Sequence, residues 1–264
     1  MFVEPGGGRR TAVNDESTRP QRTEVLGCPI DPLTLTESLE LLASWVEDDS
    51  VPKFHLSMNA AKIQRSQRED VLRQAWTRAD LVSADGMGVV WASRGGLPER
   101  VPGIDLCEGL LTMSERRGWR PYLVGGRPEV MEDVIACVEV RWPDLSLAGH
   151  HHGYFPDEER VDLVASIAQV KPDLLLVGMG SPRQEAFLLD AYLTIGAAIS
   201  MGVGGTWDVL SGHIKRAPRP IRDRGLEWAW RMTQEPHRIW SKRTWDTAFF
   251  GARALPRWFG KKIS

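Results

Sequence analysis

The chain has 264 residues, of which 42% are apolar and 26% charged. Those are the proportions of an ordinary globular protein, and the length fits one large domain plus an appendage. No run of about 18 apolar residues occurs, which excludes a membrane-crossing helix, and the net charge of −2 excludes a uniformly basic surface.

The charge is unevenly spread. From Lys215 to Ser264 there are 13 Lys/Arg against 4 Asp/Glu, and the rest of the chain holds 20 against 31. The same basic tail carries Trp228, Trp230, Trp240, Trp245 and Trp258. At the other end, residues 1–22 are rich in Gly, Arg and Pro and lack an apolar stretch, so they read as a disordered leader and not a secretory signal. Cys28, Cys107 and Cys137 are far apart and form no CxxC pair, which fits a reducing cytoplasm.

Strand-like and helix-like stretches alternate from residue 23 onward. Thr23–Leu26 reads as a strand. Thr34–Asp48 has helical periodicity, with Thr34 and Glu37 spaced as a capping box. Lys53–Met58 is a strand and Asn59–Ala79 a helix with Asn59 at its N-cap. Leu81–Ala84 is a strand, Gly86–Arg94 a short helix and Ile104–Arg117 a longer one. Pro121–Val124 is a strand, Pro128–Arg141 a helix and Leu145–Ala148 a strand. Asp157–Val170 is a helix. Leu174–Val177 is a strand apolar enough to be buried on both faces. Pro182–Ala191 is a helix and Ala197–Val203 the last strand. This alternation predicts an α/β fold with a mostly parallel sheet flanked by helices. The rhythm stops in the Pro- and Arg-rich segment Gly212–Pro220, after which the pattern is helical to about Ala254. The expected organisation is a leader (1–22), a catalytic body (23–211) and a basic appendage (212–264).

In open parallel sheets, ligands bind at the carboxyl ends of strands. Asn59 follows one strand; Asp85 and Gly86 follow the next. Gly125 and Gly126, then Gly178, Gly180 and Gln184, then Gly204, Gly205 and Asp208 follow the later ones. Glycines there let backbone N–H groups approach phosphate. The dinucleotide fingerprint G-x-G-x-x-G is absent: Arg183 stands where a third glycine should follow Gly178 and Gly180, and Trp207 where one should follow Gly202 and Gly204. GxxxxGK[ST] is absent too. These gaps weigh against a nicotinamide oxidoreductase and a P-loop NTPase. No Asp-x-Asp pair is present to hold a divalent metal on a nucleotide diphosphate.

Each candidate has a plain structural alternative. Asp85 serves either as a general base or as a helix cap. Gln184 could sit solvated in its first helical turn, Asp208 could answer its own loop's amides, and Arg100 fits a surface ion pair. Consecutive His150, His151 and His152 point apart in an extended chain, so a polar loop competes with a metal site. The tail fits an interfacial segment, Trp at headgroup level and cations toward anionic lipid; ordinary packing onto the body is the alternative.

The ordered set of motifs resembles one family. It comprises Ser-Ala-Asp85-Gly86-Met-Gly88, Arg100-Val-Pro-Gly103-Ile-Asp105, Val-Gly125-Gly126-Arg, His-Gly153-Tyr154-Phe155, Gly178-Met-Gly180-Ser-Pro182-Arg-Gln184-Glu185 and Gly202-Val-Gly204-Gly205-Thr-Trp-Asp208. Lys215-Arg216-Ala217-Pro218, Leu226-Glu227-Trp228, Arg231 and Glu235-Pro236-His-Arg238 continue it into the tail. Over about residues 24–243 the chain resembles the WecG/TagA/CpsF glycosyltransferases. The resemblance implies a Rossmann-like, inverting, metal-independent enzyme with no cofactor. It would pass N-acetylmannosamine, its uronic acid, glucose or a similar sugar from a UDP-sugar donor. The implied acceptor is a polyprenyl-diphosphate-linked sugar on the inner face of the bacterial cytoplasmic membrane, for surface polysaccharide biosynthesis.

By the same resemblance Asp85 is the general base. Ser57 stands where the family has Thr. Asn59, Arg100 and Gln184 lie near the reacting sugar, and Tyr154 and Asp208 line the uridine end. Arg231 and Arg238 close over the diphosphate, while Ser241 replaces a third basic residue that Lys242 or Arg243 would supply. The expected partners are the UDP-sugar, the lipid-linked acceptor and an anionic membrane surface, with no nucleic acid and with a homo-oligomer left open. A non-catalytic nucleotide-sugar-binding scaffold is the alternative.

Overall fold

The structure is a computed structural model, and it describes residues 20–48, 51–223 and 227–234. The expected leader lies outside the described residues, except for its last three positions. A short hairpin opens the chain: β1 (Thr23–Val25) pairs antiparallel with β2 (Cys28–Ile30). The sequence rhythm misses β2 because three residues carry no visible period. Its turn is Leu26-Gly27, both with positive φ, which suits a two-residue hairpin.

Next come α1 (Leu35–Glu47), β3 (Lys53–Met58), α2 (Ala60–Ser66), α3 (Asp70–Arg78), β4 (Leu81–Ala84), α4 (Met87–Ala92), α5 (Gly103–Arg117) and β5 (Pro121–Gly125). Then follow α6 (Pro128–Arg141), β6 (Gly149–His151), α7 (Arg160–Val170), β7 (Leu174–Gly178), α8 (Arg183–Ile195), β8 (Ile199–Gly202), α9 (Thr206–Leu210), α10 (Arg219–Asp223) and α11 (Glu227–Gln234). The capping box forms as spaced: Thr34 Oγ1 accepts from the Glu37 N–H, and the Thr34 N–H donates to Glu37 Oε2 at 2.8 Å. Gly118 and Gly196 end α5 and α8 in left-handed conformation.

Two sequence expectations are corrected. Asn59–Ala79 is two helices, not one. Asn59 caps α2, which ends at Ser66, and the chain restarts as a second helix at Asp70. The strand expected at Leu145–Ala148 lies at Gly149–His151. Leu145 and Leu147 instead pack on the helical core, and a Cβ at Gly149 would sit 2.6 Å from the Tyr122 ring, so glycine permits the strand to lie against β5 there. Polar histidines are tolerated because β6 is an edge strand.

The six strands β4-β3-β8-β7-β5-β6 form one sheet, and every pairing is parallel. β5 and β7 are buried along their whole length, as their apolar runs demand. Side chains alternate between two cores. Leu175, Val177, Phe54 and Leu56 face α2, α3, α7 and α8; Leu174, Leu176, Leu123 and Met201 face α1, α5, α6 and α9. The result is a Rossmann-like three-layer α/β/α sandwich. From β5 the chain runs outward to β6, whereas from β7 it runs the opposite way to β8. Neighbouring strands with divergent connections leave a crevice at their carboxyl ends.

Candidate functional site

The strand ends assemble the site in sheet order. At the β4 end, the Asp85 N–H donates to the Met58 carbonyl of β3 at 2.8 Å, and the Val101 N–H donates to the Ala84 carbonyl at 2.7 Å. Asp85 is thus fixed between β3 and the segment that carries Arg100. It is half-buried, and Gly86, not Asp85, holds the N-cap position of α4. Gly86 has φ 104° and open space where a Cβ would stand, so the backbone beside Asp85 is accessible.

Ser57, on β3, is only 4% exposed, and its Oγ lies against Gly103 at the start of α5. Asn59 Oδ1 accepts from the Lys62 N–H at 3.0 Å, so this side chain caps α2 at the same edge. Below them His55 is fully buried, with Nε2 2.9 Å from Ser83 Oγ. Burial, and secondarily the Lys62 charge, push the His55 pKa down to about 3.

Gln184 departs from the solvated alternative. It is 1% exposed; its Oε1 accepts from the Gly204 N–H at 3.0 Å and its Nε2 donates to Glu185 Oε1 at 3.0 Å. The structure therefore ties Gln184 to the loop after β8. Asp208 is half-buried in α9, where its carbonyl accepts from the Ile214 N–H at 2.8 Å. Tyr154 is exposed, and the Arg183 guanidinium sits 5.7 Å from its ring centroid while donating to the Gly153 carbonyl at 3.2 Å. This leaves an aromatic face with a cation beside the β5–β7 crevice.

The glycines of that crevice divide in role. A Cβ on Gly125 would lie 2.2 Å from the Gly178 carbonyl oxygen, and one on Gly178 would lie 2.2 Å from Trp207 Cδ1. Both are used to pack protein against protein. The Gly126 N–H donates to the Gly178 carbonyl at 3.1 Å and its carbonyl accepts from the Gly153 N–H at 2.7 Å. Gly180 and Gly204 have positive φ, and open space adjoins Gly204.

Two features were given no role in the sequence reading, the Lys62–Glu185 pair and Trp207. Lys62 is 9% exposed, and its Nζ lies 2.9 Å from Glu185 Oε1 and 2.8 Å from the Ser57 carbonyl. Glu185 is fully buried; burial alone would raise its carboxyl, but the Lys62 charge and hydrogen bond, with Ser181 and Gln184, hold it below its ordinary value. Trp207 is buried over Gly178 and donates Nε1–H to the Val124 carbonyl at 2.9 Å. The available signals were a lysine at the third position after a capping Asn and two adjacent polar residues opening an apolar helix.

The chain stays attached to the body beyond Ser211. His213 pairs with Asp133 at 2.7 Å, Arg216 pairs with Asp105 and Glu108, and Ala217 is buried. Gln234 of α11 brackets Lys215, donating to its carbonyl at 2.8 Å and accepting from its N–H at 2.9 Å. Arg100 forms an ion pair with Glu227 of α11 at 3.2 Å, the ionic alternative raised by the sequence, though its partner lies on the appendage. The backbone of Arg231 belongs to α11; its side chain, and all of Arg238, lie outside the described residues.

His151 Nδ1 is 2.6 Å from the His152 carbonyl oxygen, and His152 Nδ1 accepts from the Tyr154 N–H at 3.3 Å. Among the described residues no group of three or more His, Cys, Asp or Glu is arranged to hold a metal, and no helix is long and apolar enough to cross a membrane. A shallow groove of about 530 Å³ lies between α1, α5 and α6, lined by Leu39, Glu108, Met113 and Trp142 among others, and none of the sequence-predicted site residues lines it.

Residues 23–264 match the sequence model described as the glycosyl transferase WecG/TagA/CpsF family. The chain belongs to that family. Family membership makes it a glycosyltransferase, and its sheet edge, with Asp85 at one end and the glycine crevice toward the other, is where that chemistry is to be sought.

Proposed function

We propose that the protein transfers a hexose, such as N-acetylmannosamine, its uronic acid or glucose, from a UDP-sugar to a polyprenyl-diphosphate-linked sugar. The observation that carries this reading is the order of strand ends. β4 and β3 present Asp85, Ser57 and Asn59, while β8, β7 and β5 present Gly204, Gly180 and Gly126. A carboxylate therefore stands to one side of an edge whose other side is rich in glycine, where a nucleotide can approach the backbone closely.

In the proposed step Asp85 accepts the proton of the acceptor hydroxyl. The acceptor oxygen bonds to the donor anomeric carbon from the face opposite UDP, and the carbon–oxygen bond to the diphosphate breaks with its electron pair leaving on UDP. Configuration inverts. Tyr154 and Arg183 flank the nucleoside end, and Asp208 lies on α9, the helix that follows β8. Arg231, Arg238 and backbone N–H groups stabilise the leaving diphosphate without a metal. The basic, Trp-rich tail draws the site to an anionic membrane at the inner face of the cytoplasmic membrane.

Asp85→Asn tests the assignment. Fold and UDP affinity are expected to persist while turnover falls by about 10²–10⁴-fold. Near-normal turnover would remove Asp85 from the role, and tight UDP binding with no transfer by the wild type, under any donor and acceptor pair at a membrane, would favour the scaffold.

A further inference from the structure

A single hydrogen-bond chain runs beneath the proposed site. The Gly204 N–H donates to Gln184 Oε1 at 3.0 Å, and Gln184 Nε2 donates to Glu185 Oε1 at 3.0 Å. Lys62 Nζ meets the same Glu185 oxygen at 2.9 Å and donates to the Ser57 carbonyl at 2.8 Å. The Lys62 N–H in turn donates to Asn59 Oδ1 at 3.0 Å. This chain crosses the carboxyl ends of three adjacent strands, β3, β8 and β7.

Its middle is costly to build. Glu185 is fully buried, and the Lys62 side chain is 11% exposed. An apolar pair of similar volume would often serve stability as well or better, so stability is a weak reason for placing an ion pair here. Its ends supply the explanation. One end is the β8 loop at Gly204, where open space adjoins the backbone; the other is the end of β3, with Ser57 on the strand and Asn59 after it, where the Met58 carbonyl accepts from the Asp85 N–H. Arg65 adds a second tie from α2, donating to the Ser181 carbonyl at 3.4 Å.

We infer that Lys62 and Glu185 are positioning residues that set the distance between the acceptor-side turn after β3 and the donor-side loop after β8. Neither touches substrate in this account. Each acts through a neighbour, Lys62 through Ser57 and Asn59 and Glu185 through Gln184 and Gly204. The inference rests on the proposed transfer reaction only for its catalytic consequence; the mechanical link is independent of it.

The test uses the full chain. Lys62→Met alone leaves a buried carboxylate unpaired and is expected to fold poorly, so the decisive variant is Lys62→Met combined with Glu185→Gln, which removes both charges. Hydrogen–deuterium exchange should quicken at residues 57–62 and at 202–206 together, with the rest of the sheet unchanged. Transfer from the UDP-sugar should show kcat reduced by roughly tenfold or more, with KM for the donor and UDP affinity near wild type, since misplacement of reacting groups costs rate before binding. The inference is overturned by wild-type kcat, by exchange that rises uniformly across the sheet, or by a kcat loss without the paired exchange change. If the wild-type protein transfers no sugar, the reaction assignment fails, and the exchange result still decides the mechanical link.

Discussion

Trp207 packs directly on Gly178 at the strand ends, and the contact yields a prediction with a definite size. Trp207 is 1% exposed and fills the space above Gly178. Shortening it to Ala should cost about 3–5 kcal/mol, the usual loss for an aromatic side chain deleted from a core. Gly178→Ala places a methyl 2.2 Å from Trp207 Cδ1 and 2.3 Å from its Nε1, so the ring or the strand must shift. Overpacking of this kind costs about 1–3 kcal/mol. In the double variant the ring is gone and the methyl meets chiefly the Gly204 carbonyl oxygen at 3.0 Å. The loss in the double variant should therefore fall short of the sum of the two single losses by about 1–2 kcal/mol, a coupling expected only of residues in contact. Urea unfolding of the four proteins measures this from midpoints at a shared slope. Additivity within about 0.5 kcal/mol would refute the contact as the reason for glycine at 178.

Other outcomes follow from the same geometry. His55 is neutral in the folded protein, with its pKa pushed down to about 3 from 6.5. The unfolded chain takes up this proton below 6.5 and the folded chain does not, so this stability is complete above 6.5 and falls as the pH drops toward 3. The slope is up to about 1.4 kcal/mol per pH unit. His55→Gln should flatten the dependence between pH 6.5 and 4, and an unchanged urea-midpoint profile would contradict it. Glu227→Gln breaks a partly exposed ion pair with Arg100, so stability should change by less than about 1 kcal/mol. Trypsin cleavage after Arg222 should nevertheless quicken; an unaltered cleavage rate would mean the pair does not dock the appendage. EDTA is expected to leave transfer intact, whereas loss restored by Mg²⁺ or Mn²⁺ would refute a metal-independent reaction. A chain ending at Pro218 should keep the body folded, because Arg216 and Ala217 remain in place, but should lose transfer and liposome binding; full activity would reduce the tail to packing.

Much of the fold was legible because its signals are local. The Thr34–Glu37 capping box, the Asn59 cap and the apolar run Leu174–Val177 each depend on a few neighbouring residues, and each formed as spaced. The misses arise where a distant contact decides. Gly149, for example, moves the edge strand to where it can lie against Tyr122. At the site, the positions after each strand were visible as residue types, since small and polar residues interrupt apolar runs there. What each does was not. Gly178 looked like a phosphate-facing glycine and is covered by Trp207, while Gln184, for which a solvated first turn was one alternative, is buried against Gly204. Lys62 and Glu185 are 123 positions apart, and only the adjacency of β3, β8 and β7 brings them together.

The most direct test of the account is transfer by the purified full-length protein. A panel of UDP-sugars would be offered with short-chain prenyl-diphosphate-linked N-acetylglucosamine or glucose, in the presence of anionic vesicles, and the product's mass and anomeric configuration would be determined. The account predicts one lipid-linked product carrying one added hexose with inverted configuration, released together with UDP. A product with retained configuration would contradict the single displacement at Asp85, and UDP release without any lipid-linked product across the whole panel would contradict the acceptor.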